Sequence, residues 1–355
     1  RLRDRLRGLE ARMSVTQPSN SPRDHVAGLE SIRVVCALWV MLSHLPLAPF
    51  YAFLPASWQP HALWFEKAAI SGPAAVIVFF VISGFCIHYP YRHAAQLPIA
   101  RFLVRRYVRI LLPLVAAVWL GAWLHYSLRD FESTILWSLF AELLYYTAYP
   151  LLFRLRSRLG FKWLLGLSAI AAGVVVATNP FAGNYPSYGI VPTALLGLPC
   201  WLLGCVLAER ADTLRPDGNR SRIWAWRIGV WVVSCLCMAL RFKTPIGYPL
   251  TLDFFACLCY AWLAREVAYY RVRREPALTR WGGAFSYTIY LTHILAYAVL
   301  VRSWPAIPWW TMVPANLALA YGFHLAVERP AHGLARRLAG ALRSEPIGPS
   351  ASEAA

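Results

Sequence analysis

Ten apolar segments, joined by short connections that alternate between arginine-rich and arginine-poor, constrain this chain more than any other feature. They fall roughly at 27–46, 68–90, 103–125, 134–153, 162–178, 190–208, 222–241, 250–271, 284–303 and 308–328. A helix crosses a bilayer with about 17–25 predominantly apolar residues, and each segment approaches that length. Only 15% of the residues are charged and 58% are hydrophobic, against about 25% charged in soluble domains. Orientation follows from the basic residues. Of 35 lysines and arginines, 29 lie before the first segment or in connections on that same side. Five lie opposite (Lys67, Arg129, Arg241, Lys243 and Arg302), and Arg33 sits inside a segment. Basic connections stay cytoplasmic. The prediction is an all-α, polytopic membrane bundle of ten helices with N- and C-termini cytoplasmic, its partner the lipid bilayer. The formal charge of +18 is scattered over short connections rather than gathered on one face, which argues against a nucleic-acid partner.

Three regions follow from this division: a basic cytoplasmic arm at 1–24, a membrane domain at 25–330, and a disordered cytoplasmic tail at 331–355. Leu2, Leu6, Leu9 and Met13 recur at helical spacing among the arm's arginines, which reads equally as a surface helix or a solvated arm. A cleavable signal is not expected in the first segment, which carries charge and lacks a small-residue cleavage pattern. Two arginine-poor connections, 47–67 and 179–191, are rich in Pro, Tyr, Trp, Gly and Asn and read as loops at the membrane interface. The eight cysteines all fall in apolar segments. The C-x-C pairs at 235/237 and 257/259 would point to different faces of a helix. No His or acid nearby completes a metal site, so the expectation is packing thiols and no metal.

Inside the apolar segments a few polar groups stand out, because ionisable side chains at membrane depth are expensive and usually functional. In DHVAGLESIRVVCALWVMLSHL (24–45) Arg33 and His44 lie eleven residues apart. That spacing brings a helix back to within about 20° of its starting face while advancing roughly 16 Å. Gly84 in FFVISGF (79–85) permits close backbone approach. RFLVRRYVRILLP (101–113) places Arg106 and Arg109 on one helix face, with Arg105 beside them. WSLFAELLYY (137–146) holds Glu142 in an apolar field, paired either to Arg33 or to a histidine, or reserved for a site. In SYTIYLTH (286–293) Ser286, Tyr290 and His293 recur on one side, next to Tyr287. Histidines 25, 61, 88, 93, 125, 324 and 332 have no comparable neighbour in sequence.

Taken in order, these stretches and the closing ERP (328–330) resemble the membrane acyltransferase-3 family, the multi-spanning bacterial O-acyltransferases that act on carbohydrates and related hydroxyl acceptors. GLESIRVVCALWVMLSH matches its opening motif of a basic residue well before a histidine, and the resemblance runs from about 25 to 330. The chain departs from the pattern at Ile77, where members often carry an acid, and at Pro113, one residue late. The hydrolase-like domain appended to some members is not expected after residue 328.

The resemblance implies an O-acyltransferase of the bacterial inner membrane, most simply an O-acetyltransferase. It would take acetyl-CoA or another acyl-CoA as co-substrate, with no bound cofactor, and act on a carbohydrate or lipid-linked sugar such as an exopolysaccharide or O-antigen unit. His44 would be the general base and Glu142 its orienting carboxylate. Arg105, Arg106 and Arg109 would hold the donor's phosphates with their forked donors, and Arg33 the pantetheine or pyrophosphate. Ser286, Tyr287, Tyr290 and His293 would line the acceptor site. A carrier that exports a glycan or lipid-linked sugar, or an assembly subunit, would use the same helices without the chemistry.

Overall fold

In the computed structural model, the described residues (26, 28–45, 54–126, 135–243, 248–305 and 307–342) form helices and the turns between them. The first half contains α1 Leu29–His44, α2 Gln59–Ala69, α3 Gly72–His88, α4 Ile99–Trp123, α5 Trp137–Thr178 and α6 Ile190–Arg210. The second half contains α7 Arg220–Lys243, α8 Tyr248–Tyr270, α9 Ala277–Gly283, α10 Ser286–Ser303, α11 Trp309–Phe323 and α12 Arg329–Ala341. Each of the ten apolar segments coincides with a helix. α5 accounts for two, because it breaks at Gly160, whose φ of 74° and ψ of 153° interrupt the helical path; only glycine takes such a conformation without strain.

Four helical stretches among the described residues are long and apolar enough to cross a membrane, and the bent pair α9–α10, turned by 67°, adds a fifth. The exterior matches a lipid solvent. Trp119, Trp163 and Phe254 are each at least 70% exposed, while Ser286, Thr288, His293 and Asn316 are wholly buried. A water-soluble domain rarely exposes so many large apolar side chains.

α3 forms the centre, packed against α1, α6 and α8. Buried residues surround it on all sides, which is why its sequence has no polar stripe. Its start is set by Ser71, whose Oγ accepts from the Ala74 amide at 3.3 Å, followed by Pro73 in the first turn. α3 meets α6 at two glycines: a Cβ on Gly84 would lie 1.9 Å from the Trp201 carbonyl oxygen, and one on Gly204 2.0 Å from that of Val81. The two backbones touch there.

Ion pairs fasten the ends of the bundle. His88, fully buried, lies 2.8 Å from the Tyr149 hydroxyl and 2.7 Å from Glu209, which also takes Arg156 at 2.8 Å. Arg227 forks onto buried Glu266 at 2.7 and 2.9 Å, joining α7 to α8. His93 and Arg92 meet Asp212, and His324 meets Glu328 at 2.7 Å. His88 and His93, without an acid near them in sequence, therefore have one in space, while the acid of His324 follows it by four residues.

Two expectations change. The stretch 331–341 is not a disordered tail: it continues as α12, lying on α4. Ala331, Ala335 and Ala339 recur every fourth residue and are buried, while Arg329, Arg336 and Arg337 face outward, the pattern of a surface amphipathic helix. Residues 343–355 and the basic arm at 1–24 lie outside the described residues. The connection 47–67 is a loop only in part, because α2 begins at Gln59, with Pro60 in its first turn.

Candidate active site

Five helices converge on a cavity of about 460 Å³. α1 contributes Glu30 and Arg33, α4 contributes Arg105, Arg106 and Arg109, and α3 contributes Phe79, Ser83 and Cys86. Ser138, Glu142 and Tyr146 come from α5, and Ser286, Tyr287 and Tyr290 from α10. Four guanidinium groups thus face two carboxylates. Arg33 lies 3.5 Å from Glu30, one helical turn before it. Arg106 sits over the Tyr146 ring at 5.9 Å. Glu142 Oε1 accepts from Ser83 Oγ at 2.7 Å and from the Tyr146 hydroxyl, and Ser83 in turn accepts from the Trp201 indole at 3.2 Å. Tyr287 donates to the Ile110 carbonyl at 3.1 Å, and the Tyr290 hydroxyl pairs with Ser138 at 2.5 Å. The cavity suits a ligand with several phosphates, since arginine forks match phosphate oxygens.

A second cavity, of about 490 Å³, opens at the other end of α1 and α3. Val40, Ser43 and His44 line it with Lys67, Gly72, Val76, Trp137, Asn184, Tyr185 and Arg241. Val76 borders both cavities. On the first cavity's side Phe79 meets Tyr290 edge-on at 5.9 Å.

His44 stands at the last turn of α1, and its neighbour is His293 of α10: His293 Nε2 lies 3.2 Å from His44 Nδ1. The surrounding carbonyls fix where the hydrogens go. His293 Nδ1 lies 2.8 Å from the Tyr290 carbonyl, which can only accept, so that nitrogen carries the hydrogen. In the neutral ring Nε2 is then an acceptor. His44 Nδ1 lies 3.0 Å from the Val40 carbonyl and faces that acceptor, so it carries the hydrogen of its own ring. The lone pair of His44 is left on Nε2, the nitrogen a base would use. Asn316 of α11 holds the His293 carbonyl at 2.8 Å, fixing this part of α10.

A family model described as an acyltransferase domain matches residues 26–327 of the chain. The chain belongs to the acyltransferase-3 family. No curated protein and no solved structure matches it. With its apolar helices, this makes it a membrane acyltransferase.

The acyltransferase brings most of its sequence-predicted site residues together, in two groups rather than one. Arg33, Arg105, Arg106, Arg109, Glu142, Ser286, Tyr287 and Tyr290 share the first cavity. His44 lines the second, with His293 behind it. Glu142 does not orient His44; its bonds go to Ser83 and Tyr146, on the arginine side. It does not pair with Arg33 either, whose acid is Glu30. Both partners were within reach of the sequence, since Tyr146 follows Glu142 by four residues and Glu30 precedes Arg33 by three. Pairing of His44 with His293, 249 residues away, had no such signal. Ser286 is a weaker lining residue than its spacing suggested, because its hydroxyl bonds the Gly283 carbonyl at 2.9 Å. The residues of the second cavity other than His44 were not anticipated.

Proposed function

We propose that this acyltransferase moves an acyl group, most simply acetyl, from cytoplasmic acyl-CoA to a hydroxyl of a carbohydrate or lipid-linked sugar, across a bundle of ten spans in a bacterial inner membrane. One observation carries the reading: α1 presents Arg33 to an arginine-lined cavity and His44 to a separate cavity, roughly 16 Å further along its axis. The phosphates of the donor rest on Arg105, Arg106, Arg109 and Arg33. The pantetheine arm passes Glu142, whose carboxylate suits its amide hydrogens, and delivers the thioester past Phe79 and Tyr290. The acceptor hydroxyl attacks the thioester carbonyl while His44 Nε2 takes its proton; the tetrahedral intermediate collapses, and the CoA thiolate leaves with that proton. His293 keeps the His44 ring in the tautomer this step requires.

The purified protein in lipid nanodiscs, given acetyl-CoA and a carbohydrate acceptor, is expected to release free CoA in step with acceptor acylation. Transport of the glycan without CoA-dependent acylation would mean a carrier instead. Donor binding has its own test. Arg106→Ala or Arg109→Ala raises KM for acyl-CoA more than it lowers kcat, because phosphate contacts persist from ground state to transition state. Lysine at either position restores part of the affinity, since an ammonium cannot make the forked contact. Unchanged donor affinity in both alanine variants would remove the arginines from the site. Topology is read by a reporter fused after residue 185, which is expected on the non-cytoplasmic side; a cytoplasmic signal would break the ten-span arrangement.

A further inference from the structure

The arginine cavity runs along α3 from Val76 to Tyr91, roughly 20 Å by helical rise. Its end away from Val76 is built differently from the rest. Pro90 and Tyr91 line it there with Phe102 of α4, and the Tyr91 and Phe102 rings meet edge to face with centres 6.0 Å apart. Phe102 is buried and Tyr91 half-buried, so Tyr91 is the ring a ligand can reach. Further along α4 come Arg105, Arg106 and Arg109, the last about 10 Å from Phe102 along the axis. The turn that carries Tyr91 is held by more than its own backbone. Arg156 of α5 donates through Nη2 to the Tyr91 carbonyl at 3.3 Å and the Ala94 carbonyl at 2.7 Å, and through Nη1 to the Arg92 carbonyl at 3.1 Å. These carbonyls follow the end of α3, beyond the reach of its helical ladder. Glu209 of α6 accepts from the same Nη1 at 2.8 Å and lies 2.7 Å from buried His88, the last residue of α3. The next side chains turn to another acid: Arg92 forks onto Asp212 at 2.8 and 3.1 Å, and His93 meets it at 2.8 Å.

We infer that this turn is the nucleotide subsite for the donor: the purine base packs on the Tyr91 ring, and Arg156 is a positioning residue that sets the turn from behind. The inference rests on the acyl-CoA reading above and adds where the nucleotide end binds. Side chains follow one another along the cavity as chemical groups follow one another along the donor. Tyr91 lies beyond the arginines, as the base lies beyond the phosphates, and the end at Val76 and Phe79 is left for the thioester. A base packs on an aromatic ring through its π-face. Arg156 stands outside the cavity lining, its guanidinium spent on three carbonyls and a carboxylate.

The test uses the full chain in nanodiscs, 4-nitrophenyl β-glucoside as acceptor, and two donors: acetyl-CoA and acetyl-4′-phosphopantetheine, which stops short of the nucleotide. Tyr91→Ala should raise KM for acetyl-CoA about tenfold, the worth of a base stacked on an aromatic ring, and leave kcat and the KM for the truncated donor in place. Tyr91→Phe keeps the ring and should stay near the unaltered chain. Arg156→Gln should repeat the Tyr91→Ala pattern more weakly, and Arg156→Lys should recover part of the loss. An arginine that only stabilised the fold would lower turnover with both donors alike, and that outcome overturns its positioning role. Unchanged KM for acetyl-CoA in Tyr91→Ala, or an equal rise for both donors, overturns the subsite. Calorimetry with adenosine 3′,5′-bisphosphate reads the subsite without turnover. Tyr91→Ala should bind it about tenfold more weakly than the unaltered chain; equal affinity, or no binding to either, overturns the inference. Failure of the unaltered chain to transfer acetyl from either donor overturns the transfer reading instead, and the calorimetry still decides on Tyr91.

Discussion

Replacement of His44 by alanine lowers kcat about 10²–10⁴-fold, the usual contribution of a positioned base, with acyl-CoA binding nearly unchanged. The split follows from the proposed arrangement: the donor's phosphates are proposed to rest in the arginine cavity, while His44 lines the separate cavity at the other end of α1. His44→Gln fares nearly as badly, because an amide accepts a hydrogen bond but not a proton. His293→Ala produces a smaller loss with a displaced pH profile, since His44 then lacks the neighbour 3.2 Å from its Nδ1. Glu142→Gln leaves the profile where it is, because Glu142 spends its bonds on Ser83 and Tyr146. Steady-state kinetics across pH for the four variants, on protein shown to be folded, separates these outcomes. Near-normal turnover in His44→Ala would take histidine out of the mechanism, and an acyl-labelled His44 with a pre-steady-state burst would replace the base with a nucleophile.

Gly84→Ala is expected to cost the protein its fold rather than its activity alone. The added methyl would sit 1.9 Å from the Trp201 carbonyl oxygen and 2.9 Å from its carbon, both backbone atoms. No rotamer change relieves a clash with backbone, so α3 and α6 must part along their length. Overpacking of a side-chain core costs roughly 1–3 kcal/mol; separating the central pair of helices should exceed that. Gly204→Ala meets Val81 in the same way and should behave alike. By contrast Gly166→Ala meets nothing within 4 Å and should be neutral. Thermal unfolding in nanodiscs, with the yield of monodisperse protein, decides the matter: a melting temperature for Gly84→Ala equal to that of the unaltered chain would refute the close crossing.

The helices were legible because hydropathy is a local property, written segment by segment. So was the shared face of Arg33 and His44, which needs only the helical period, and so was the gathering of Arg105, Arg106 and Arg109 on α4. What the one-dimensional record could not carry was which polar group faces which across helices. Glu142 has one partner, Tyr146, in its own segment, but nothing in the segment points to Ser83, and a distant histidine looked like a natural partner. The crossing of α3 and α6 at Gly84 and Gly204 instead brings Trp201 and Ser83 together beside it. His293 showed its chemistry but not its partner, because only the packing of α10 against α1 closes a gap of 249 residues. The helix at 331–341 was missed for a simpler reason: alanine reads as small and neutral, yet Ala331, Ala335 and Ala339 are buried in a helix that packs on α4.

The wall at Val76, which lines both cavities, has an electrical consequence. In the proposed orientation two hollows reach inward from opposite ends of α1 and α3 and share Val76 in their linings, where the surrounding bilayer provides about 30 Å of hydrocarbon. A potential applied across the membrane drops where the dielectric is driest, so in the proposed orientation the field is concentrated on this wall. Each elementary charge moved through it exchanges about 2.3 kcal/mol per 100 mV with the membrane. Carrying an acyl group past Phe79 and Tyr290 moves a neutral fragment and is indifferent to that voltage; letting a proton follow it would discharge the cell.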